Sequence, residues 1–511
     1  MLRTTGLLCF LAVVGLTACG KDHSNASPTS SETTPMRGQL IGTPTMSGSY
    51  STSDLLSQLT SDPLGKELLQ LTLAPTCTVN VYHMEYYTVG GAGESTTASA
   101  ALMVPTGSGG SCQGARPIVM YAHGTNTSKT FNMAAIAGNS EALLMASVFA
   151  SQGYIVVAPN YAGYDTSTLP YHPYLNADQQ SKDMIDSLAA ARSAFSSVSA
   201  SDNGKLFVTG YSQGGFVAMA THKAMEAAGT SVTAAAPMSG PYALAAFGDA
   251  IFSGEVDMSA PANFDLITTS YQHSYSNVYT TATDVFEPQY ASTADELLPS
   301  STSITAIYSQ GQLPQYALFD STPPSPAYAS MTPATTPANL APSFAQGFGT
   351  SYLVTNSFRQ SYLQDAAANP DGGFPTVTTG VPAASPGIAL RQDLKTNDLR
   401  NWTPTAPVLL CAGNSDPTVF YLNTQLMQNY WTNVAPPTGT VTLLDVDSSV
   451  TSNDPYADEK NGFAAAKAAV AAAAVVGGAS DGGAMAVLQD YHATLVPPFC
   501  LYAVKSFFDG H

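Results

Sequence analysis

Between residues 78 and 106 apolar and polar positions alternate with a period of two. Thr78 to Thr88 sets Val79, Val81 and Tyr87 on one face, Gly90-Gly91-Ala92-Gly93 turns the chain, and Ser95 to Pro105 returns. The pattern predicts a pair of antiparallel strands. Further on, continuous apolar runs alternate with helical spacing. Pro117–Ala122, Tyr154–Ala158, Lys205–Thr209, Val232–Ala236, Ala406–Cys411 and Thr440–Leu444 read as strands buried on both faces. Glu141–Gln152, Asp178–Phe195 and the run opening at Phe216 read as helices between them. Strands and helices in alternation predict an α/β architecture, a mostly parallel central sheet with helices on both faces.

Three stretches do not follow this rhythm. Asp54 to Leu73 carries Leu55, Leu56, Leu59, Leu64, Leu68 and Leu69, interrupted by Pro63, and predicts a short helical segment packed on the body. Residues 20–49 are Ser, Thr, Pro and Gly with few large apolar groups, which predicts a flexible tether. The segment from Ala243 to Arg400 is rich in Tyr, Phe and Pro and has no strand periodicity. Within it Tyr271, Tyr275 and Tyr279 fall on one helical face, a stripe assigned to packing. As an insertion between two core strands, the segment is expected to lie as a cap over the strand ends. Phe463–Val476 predicts an alanine-rich structural helix, and Leu495–Phe508 a final apolar one. The expected organisation is a signal segment (1–18), tether (19–49), first core part (50–242), inserted cap or lid (243–400) and second core part (401–511).

Charge narrows the possible partners. The 511 residues carry 17 Lys and Arg against 36 Asp and Glu, a net charge of −19. No basic cluster is present to hold a phosphate backbone, so no nucleic-acid partner is expected.

The N-terminus narrows the compartment. Arg3 precedes an apolar stretch, Leu7 to Leu16, too short to span a bilayer stably. Leu16-Thr17-Ala18-Cys19 resembles the lipobox of bacterial lipoproteins, which implies cleavage before Cys19 and acylation of its thiol; the alternative is a signal cut without lipidation. Gly20 lacks the aspartate associated with inner-membrane retention. The expectation is an exported lipoprotein on the outer membrane or cell surface, touching membrane only through its lipid. Four cysteines remain, Cys77, Cys112, Cys411 and Cys500, an even number that suggests two disulfides. Of three connectivities, position favours Cys77 with Cys112 and Cys411 with Cys500. The spacings fit no zinc or redox motif, and no metal site is expected.

The chemistry concentrates at Gly210-Tyr211-Ser212-Gln213-Gly214, between a strand and a helix. A serine presented on so tight a turn leaves no room for side chains at Gly210 or Gly214, and the helix behind it aims its positive end at the reaction centre. A serine hydroxyl needs a histidine to take its proton and an acid to orient that histidine. For the acid, Asp416 lies in the loop directly after a buried strand, with Asp445 and Asp447 as runners-up. The segment opening at Asp445 lacks the glycine and glutamate of a calcium loop. For the base, His492 lies between loop and final helix. His222 would turn away inside the elbow helix, His511 is terminal, and His273, His172 and His83 are assigned to cap or surface. An oxyanion would be held by backbone N–H groups of Gln213 and of the loop Ala122-His123-Gly124-Thr125, with Thr125 the first choice and Gly124 the alternative. His123 is expected to fix that loop.

These motifs, in this order, resemble the α/β-hydrolases, nearest the secretory-lipase type of bacterial and fungal serine esterase. Tyr121–Thr125, Ala158–Tyr164, His172–Leu175, the Ser212 turn and Asn397–Pro404 leading into Asp416 carry the resemblance from about residue 75 to the end. The stretch between Asp416 and His492, with its alanine-rich helix, is longer than the pattern. The resemblance implies an α/β-hydrolase fold with a large cap, and hydrolysis of a lipid, acyl or aryl ester through an acyl-enzyme without a cofactor. Two rival readings remain: a serine peptidase of the same fold, and a surface-displayed binding protein with a degenerate site.

Overall fold

The computed structural model describes residues 36–70, 74–294, 297–372 and 380–511. The signal segment and Cys19 lie outside them. At one edge of the sheet, β1 (Leu40–Tyr50), β2 (Thr78–Val89) and β3 (Ser95–Thr106) form an antiparallel meander. Helices α1 (Thr52–Ser61) and α2 (Pro63–Gln70) fill the connection from β1 to β2, divided at Pro63 as its missing N–H requires.

β1 corrects the tether assignment. Residues 40–49 are part of the sheet, paired with β2 from Leu40↔Tyr86 to Tyr50↔Val79 with two register shifts. The strand is mostly exposed and contains Pro44, both tolerable only at an edge. Backbone pairing, which composition does not encode, holds it.

The parallel part follows as β4 (Arg116–Ala122), α3 (Ser140–Val148), β5 (Ile155–Pro159), α4 (Ala177–Ala194), β6 (Asp202–Tyr211), α5 (Gln213–Ala227) and β7 (Ala234–Met238). After β7 come α6 (Leu244–Phe252), α7 (Ala260–Tyr275), α8 (Ile304–Ser309), β8 (Phe319–Asp320), α9 (Ala341–Gln346), β9 (Phe348–Gly349), α10 (Asn356–Ala368) and α11 (Ala389–Asn397). The sheet resumes with β10 (Val408–Ala412), α12 (Leu422–Asn433) and β11 (Val441–Asp445), followed by α13 (Ala457–Val476), α14 (Ala484–Asp490) and α15 (Val496–Asp509). Among the described residues the main sheet has nine strands in the order β1-β2-β3-β5-β4-β6-β7-β10-β11, and β8 and β9 pair separately. β5, β4, β6, β7, β10 and β11 run parallel.

The period of two along β4 sorts its side chains between two cores. Ile118 and Met120 pack with Val208, Phe216 and Met219 on the α4–α5 face, while Val119 and Tyr121 pack with Phe207, Leu495, Phe499 and Val504 on the α3–α15 face. Burying a side chain of this size contributes about 1.5–3 kcal/mol, and nearly every β4 position is buried.

The segment between β7 and β10 is held by buried ion pairs that periodicity cannot show. Arg391 on α11 bridges Asp249 of α6 at 2.8 Å and Asp365 of α10 at 2.7 Å. Arg400 is fully buried between Asp371 and Asp398, each at 2.8 Å, and Asp398 also accepts the Ala245 N–H at 3.0 Å. Buried charges are tolerable only when paired in this way. The tyrosine stripe is shorter than its spacing predicts, because Ser276 at φ 56° ends α7 before Tyr279. Tyr271 is fully buried against the body, donating to Leu175 O at 3.2 Å.

Both disulfides have the expected pairing, Cys77–Cys112 and Cys411–Cys500. Such bonds mark a protein that matures in an oxidising compartment, outside the cytosol. Among the described residues no helix is long and apolar enough to cross a membrane.

Candidate active site

Ser212 sits between the end of β6 and the start of α5 at φ 60°, ψ −122°, a backbone conformation that side chains rarely tolerate. The neighbouring glycines make it possible. A Cβ on Gly210 would lie 2.6 Å from Ala122 O, and one on Gly214 would run into Ala122 O and lie 2.8 Å from His123 O. The turn is therefore pressed against the end of β4, and the hydroxyl projects at the carboxyl edge of the sheet.

His492 and Asp416 meet Ser212 there. Ser212 Oγ lies 2.8 Å from His492 Nε2, and His492 Nδ1 lies 2.6 Å from Asp416 Oδ2. Asp416 is 1% exposed, and its other oxygen accepts the N–H groups of Thr418 and Val419 at 2.9 and 3.0 Å. Its carboxylate is thereby fixed with one face toward the imidazole. Asp445 and Asp447 are engaged elsewhere, Asp445 with Asn414 and Asp447 with Tyr491 and Lys467.

The sequence predicts His492 where a loop meets the final helix, but helix lies on both sides of it. It lies in a π-helical turn, Tyr491–Leu495, between α14 and α15. One extra residue in the turn shifts the side chain sideways without breaking the helix, a device common at functional sites. Its carbonyl accepts from the Tyr211 hydroxyl at 2.5 Å, so the residue before the serine anchors the histidine's backbone. Cys411–Cys500 joins β10, which delivers the Asp416 loop, to α15, which follows His492.

The loop after β4 lies against Ser212. A Cβ on Gly124 would stand 3.8 Å from Ser212 Cβ. Gly124 gives its own N–H to Glu141 Oε1 at 2.9 Å, and the Tyr121 hydroxyl donates to the same oxygen at 2.6 Å. His123 is buried with Nδ1 2.7 Å from Gly124 O, and burial pushes its pKa down to about 4. It holds the loop as a neutral ring, as expected. Burial pushes the Glu141 carboxyl up against the pull of its two donors.

Before Ser212 opens a cavity of about 630 Å³. Its walls are largely apolar, with Leu244, Phe252, Phe264, Ile267, Leu390 and Leu394 from the segment between β7 and β10. Two carboxyls that sequence reasoning missed stand at its edge, Glu141 and Asp257. Asp257 accepts from Asn263 Nδ2 at 2.9 Å, and burial pushes its pKa up to about 7. Neither sits in a motif, so no spacing marks them.

The other histidines separate by contact. His222 pairs with Glu226 one helical turn on, His83 with Asp165 at 2.6 Å, and His273 stacks on Tyr171. His172 corrects its assignment to cap or surface. It is 1% exposed and lies behind the Ser212 turn, 2.7 Å from the Gln213 side-chain amide.

Against known proteins, the model of the prolyl oligopeptidase family matches residues 141–292, which include the Ser212 turn. No curated protein sequence matches. Among solved structures, the rice cell wall degrading esterase LipA from Xanthomonas oryzae is 25% identical with a TM-score of 0.65, the match covering 92% of this chain and 98% of that one. The chain has the α/β-hydrolase fold. A Legionella pneumophila protein with 19% identity shares the same fold, at a TM-score of 0.63 over 92% of this chain and 98% of its own. With the family match and the esterase neighbour together, the chain is a serine hydrolase of the α/β-hydrolase fold.

Proposed function

We propose that the protein is a carboxylic-ester hydrolase in which Ser212, His492 and Asp416 act as a catalytic triad. The observation that carries this reading is the continuous relay from Asp416 through His492 to Ser212 Oγ, facing an apolar cavity suited to an acyl or aryl group. Asp416 accepts the Nδ1 proton and holds the tautomer in which Nε2 is a base. Ser212 Oγ attacks the ester carbonyl carbon as its proton passes to Nε2. The oxyanion accepts from the N–H groups of Gln213 and Thr125, Gly124 being committed to Glu141. His492 then gives the proton to the departing alkoxy oxygen as its bond to the acyl carbon breaks; the alcohol leaves and Ser212 Oγ keeps the acyl group. Water, deprotonated by His492, attacks the acyl carbon; the bond to Ser212 Oγ breaks as His492 returns the proton to that oxygen, and the acid is released. No step draws on a cofactor.

The segment 243–400 supplies most of the cavity's apolar wall and is read as the cap that selects the substrate. A serine peptidase is the second reading, favoured by the prolyl oligopeptidase family match. LipA, which spans nearly the whole chain, is an esterase, which favours ester hydrolysis. For Cys19, which lies outside the described residues, lipid anchoring at the outer membrane or cell surface is proposed from the sequence motif; the disulfides fit export.

A chain-length series of p-nitrophenyl esters, with matched anilides and an emulsified triglyceride, tests the reading. Ester turnover is expected to exceed anilide turnover and to fall below about a hundredth in Ser212→Ala, since a triad member contributes far more than that. Retention above this level, or faster anilide cleavage, would sink it.

A further inference from the structure

Two backbone donors that share one oxygen come here from separate parts of the chain, Thr125 after β4 and Gln213 at the head of α5. Their spacing has to be fixed by contacts made elsewhere, because a shift of about 1 Å in a catalytic group can cost a hundredfold in rate.

His172 and Tyr174 make those contacts, one to each side. His172 Nδ1 is 2.9 Å from Ala162 O, and a carbonyl only accepts, so Nδ1 carries the proton. Burial pushes the ring's pKa down to about 3 and keeps it neutral. Nε2 is then an acceptor, and the Gln213 side-chain N–H donates to it at 2.7 Å. The ring is held in place by Tyr161, stacked at 5.5 Å, and by Tyr164 at 4.6 Å. Two residues on, the Tyr174 hydroxyl lies 2.9 Å from Thr125 Oγ1.

A tight turn sets the distance between these two side chains. Tyr174 N–H donates to His172 O at 2.7 Å, closing a three-residue turn around Pro173, whose ring fixes φ. From the other side Tyr271 of α7 donates to Leu175 O, so the turn is braced on the segment that walls the cavity.

We propose that the buried turn His172-Pro173-Tyr174 is a clamp that sets the gap between the two oxyanion donors, His172 acting through the Gln213 side chain and Tyr174 through the Thr125 hydroxyl. Neither residue touches substrate; both are positioning residues. The proposal rests on the ester-hydrolase reading of Ser212.

The test is one double-mutant comparison and a pair of His172 variants on the full chain, with p-nitrophenyl butyrate as substrate and a boronic acid as a reversible tetrahedral ligand of Ser212. Tyr174→Phe and Thr125→Val each delete one end of the same hydrogen bond and leave every backbone N–H in place. Each is expected to lower kcat by about tenfold to a hundredfold, to weaken boronic acid binding by a similar factor, and to leave KM within about twofold. The double variant is expected to match the worse single one. His172→Phe is expected to behave likewise, and His172→Gln, which returns an acceptor near the Nε2 position, to recover part of the loss.

Unchanged kcat in Tyr174→Phe and Thr125→Val, additive losses in the pair, or losses that follow melting temperature across the set would overturn the clamp while the wild type still cleaves ester. If the wild type neither cleaves ester nor reacts at Ser212 with a fluorophosphonate, the hydrolase reading falls, and the clamp with it.

Discussion

Gly124 donates its backbone N–H to Glu141 at 2.9 Å, and this bond commits one of the two candidate oxyanion donors to a structural task. Glu141→Gln preserves an acceptor for Gly124 and is expected to keep kcat within about threefold. Glu141→Leu leaves the Gly124 N–H and the Tyr121 hydroxyl without their acceptor, at a cost of about 1–3 kcal/mol for each buried group. Chemical denaturation should show that loss, together with a lower kcat. If the leucine variant matches wild type in both, the loop is held by other contacts.

Asp416 follows the buried β10 and Asp445 ends the neighbouring β11, yet only Asp416 reaches the imidazole. Asp416→Asn is expected to lower kcat by about 10⁴-fold, because an amide can stabilise the wrong tautomer of His492. Asp445→Asn should stay within about tenfold of wild type. Steady-state kinetics on one ester decides between them, and the reverse ranking would reassign the acid.

The Cys411–Cys500 bond crosses from the strand that delivers Asp416 to the helix after His492. Replacing both cysteines with alanine is expected to lower kcat several-fold at temperatures where circular dichroism shows the fold intact, since the bond joins the two elements whose separation sets the relay. Replacing Cys77 and Cys112, which lie away from the site, should lower stability with little change in kcat. Equal kinetic effects from both pairs would mean that neither bond aligns the site.

Asp257 keeps its proton in the folded protein up to about pH 7, whereas the unfolded chain releases it near 3.8. A carboxyl with a raised folded pKa makes stability fall as pH rises between those two values, by at most about 1.4 kcal/mol per unit. Electrostatic interactions with His492 and Asp416 also bear on it, and their effects oppose each other. Asp257→Asn should accept the same Asn263 bond without ionising. Its urea midpoint, compared with wild type, is expected to rise steadily from pH 5 to pH 7. A constant difference across that range would place the ionisation elsewhere.

Much of the frame was legible in the chain, for identifiable reasons. The strands from Pro117 to Cys411 announce themselves because both their faces are buried, which demands unbroken apolar runs, whereas β11 at the sheet edge is only partly buried. Ser212 was legible because the backbone strain of its turn excludes side chains from Gly210 and Gly214, and that exclusion leaves glycines in the sequence. β1 was not legible. An exposed edge strand is held by main-chain hydrogen bonds, and Ser, Thr and Gly at its positions look the same as in a tether. The π-helical turn at His492 escaped for a related reason, since one residue of extra winding changes the direction of a side chain without changing its periodicity.

The alternation of strand and helix and the tight turn at Ser212 are written in the chain because each depends on neighbours a few residues apart, and the order Ser212, Asp416, His492 is read directly along it. Tertiary structure decided which aspartate faces His492, and that Gly124 is committed to Glu141. It also placed His172 against the Gln213 side chain and Tyr174 against the Thr125 hydroxyl. Those choices rest on hydrogen bonds of 2.6 to 2.9 Å between groups from different strands and loops, and such distances exist only after the sheet has brought their ends together.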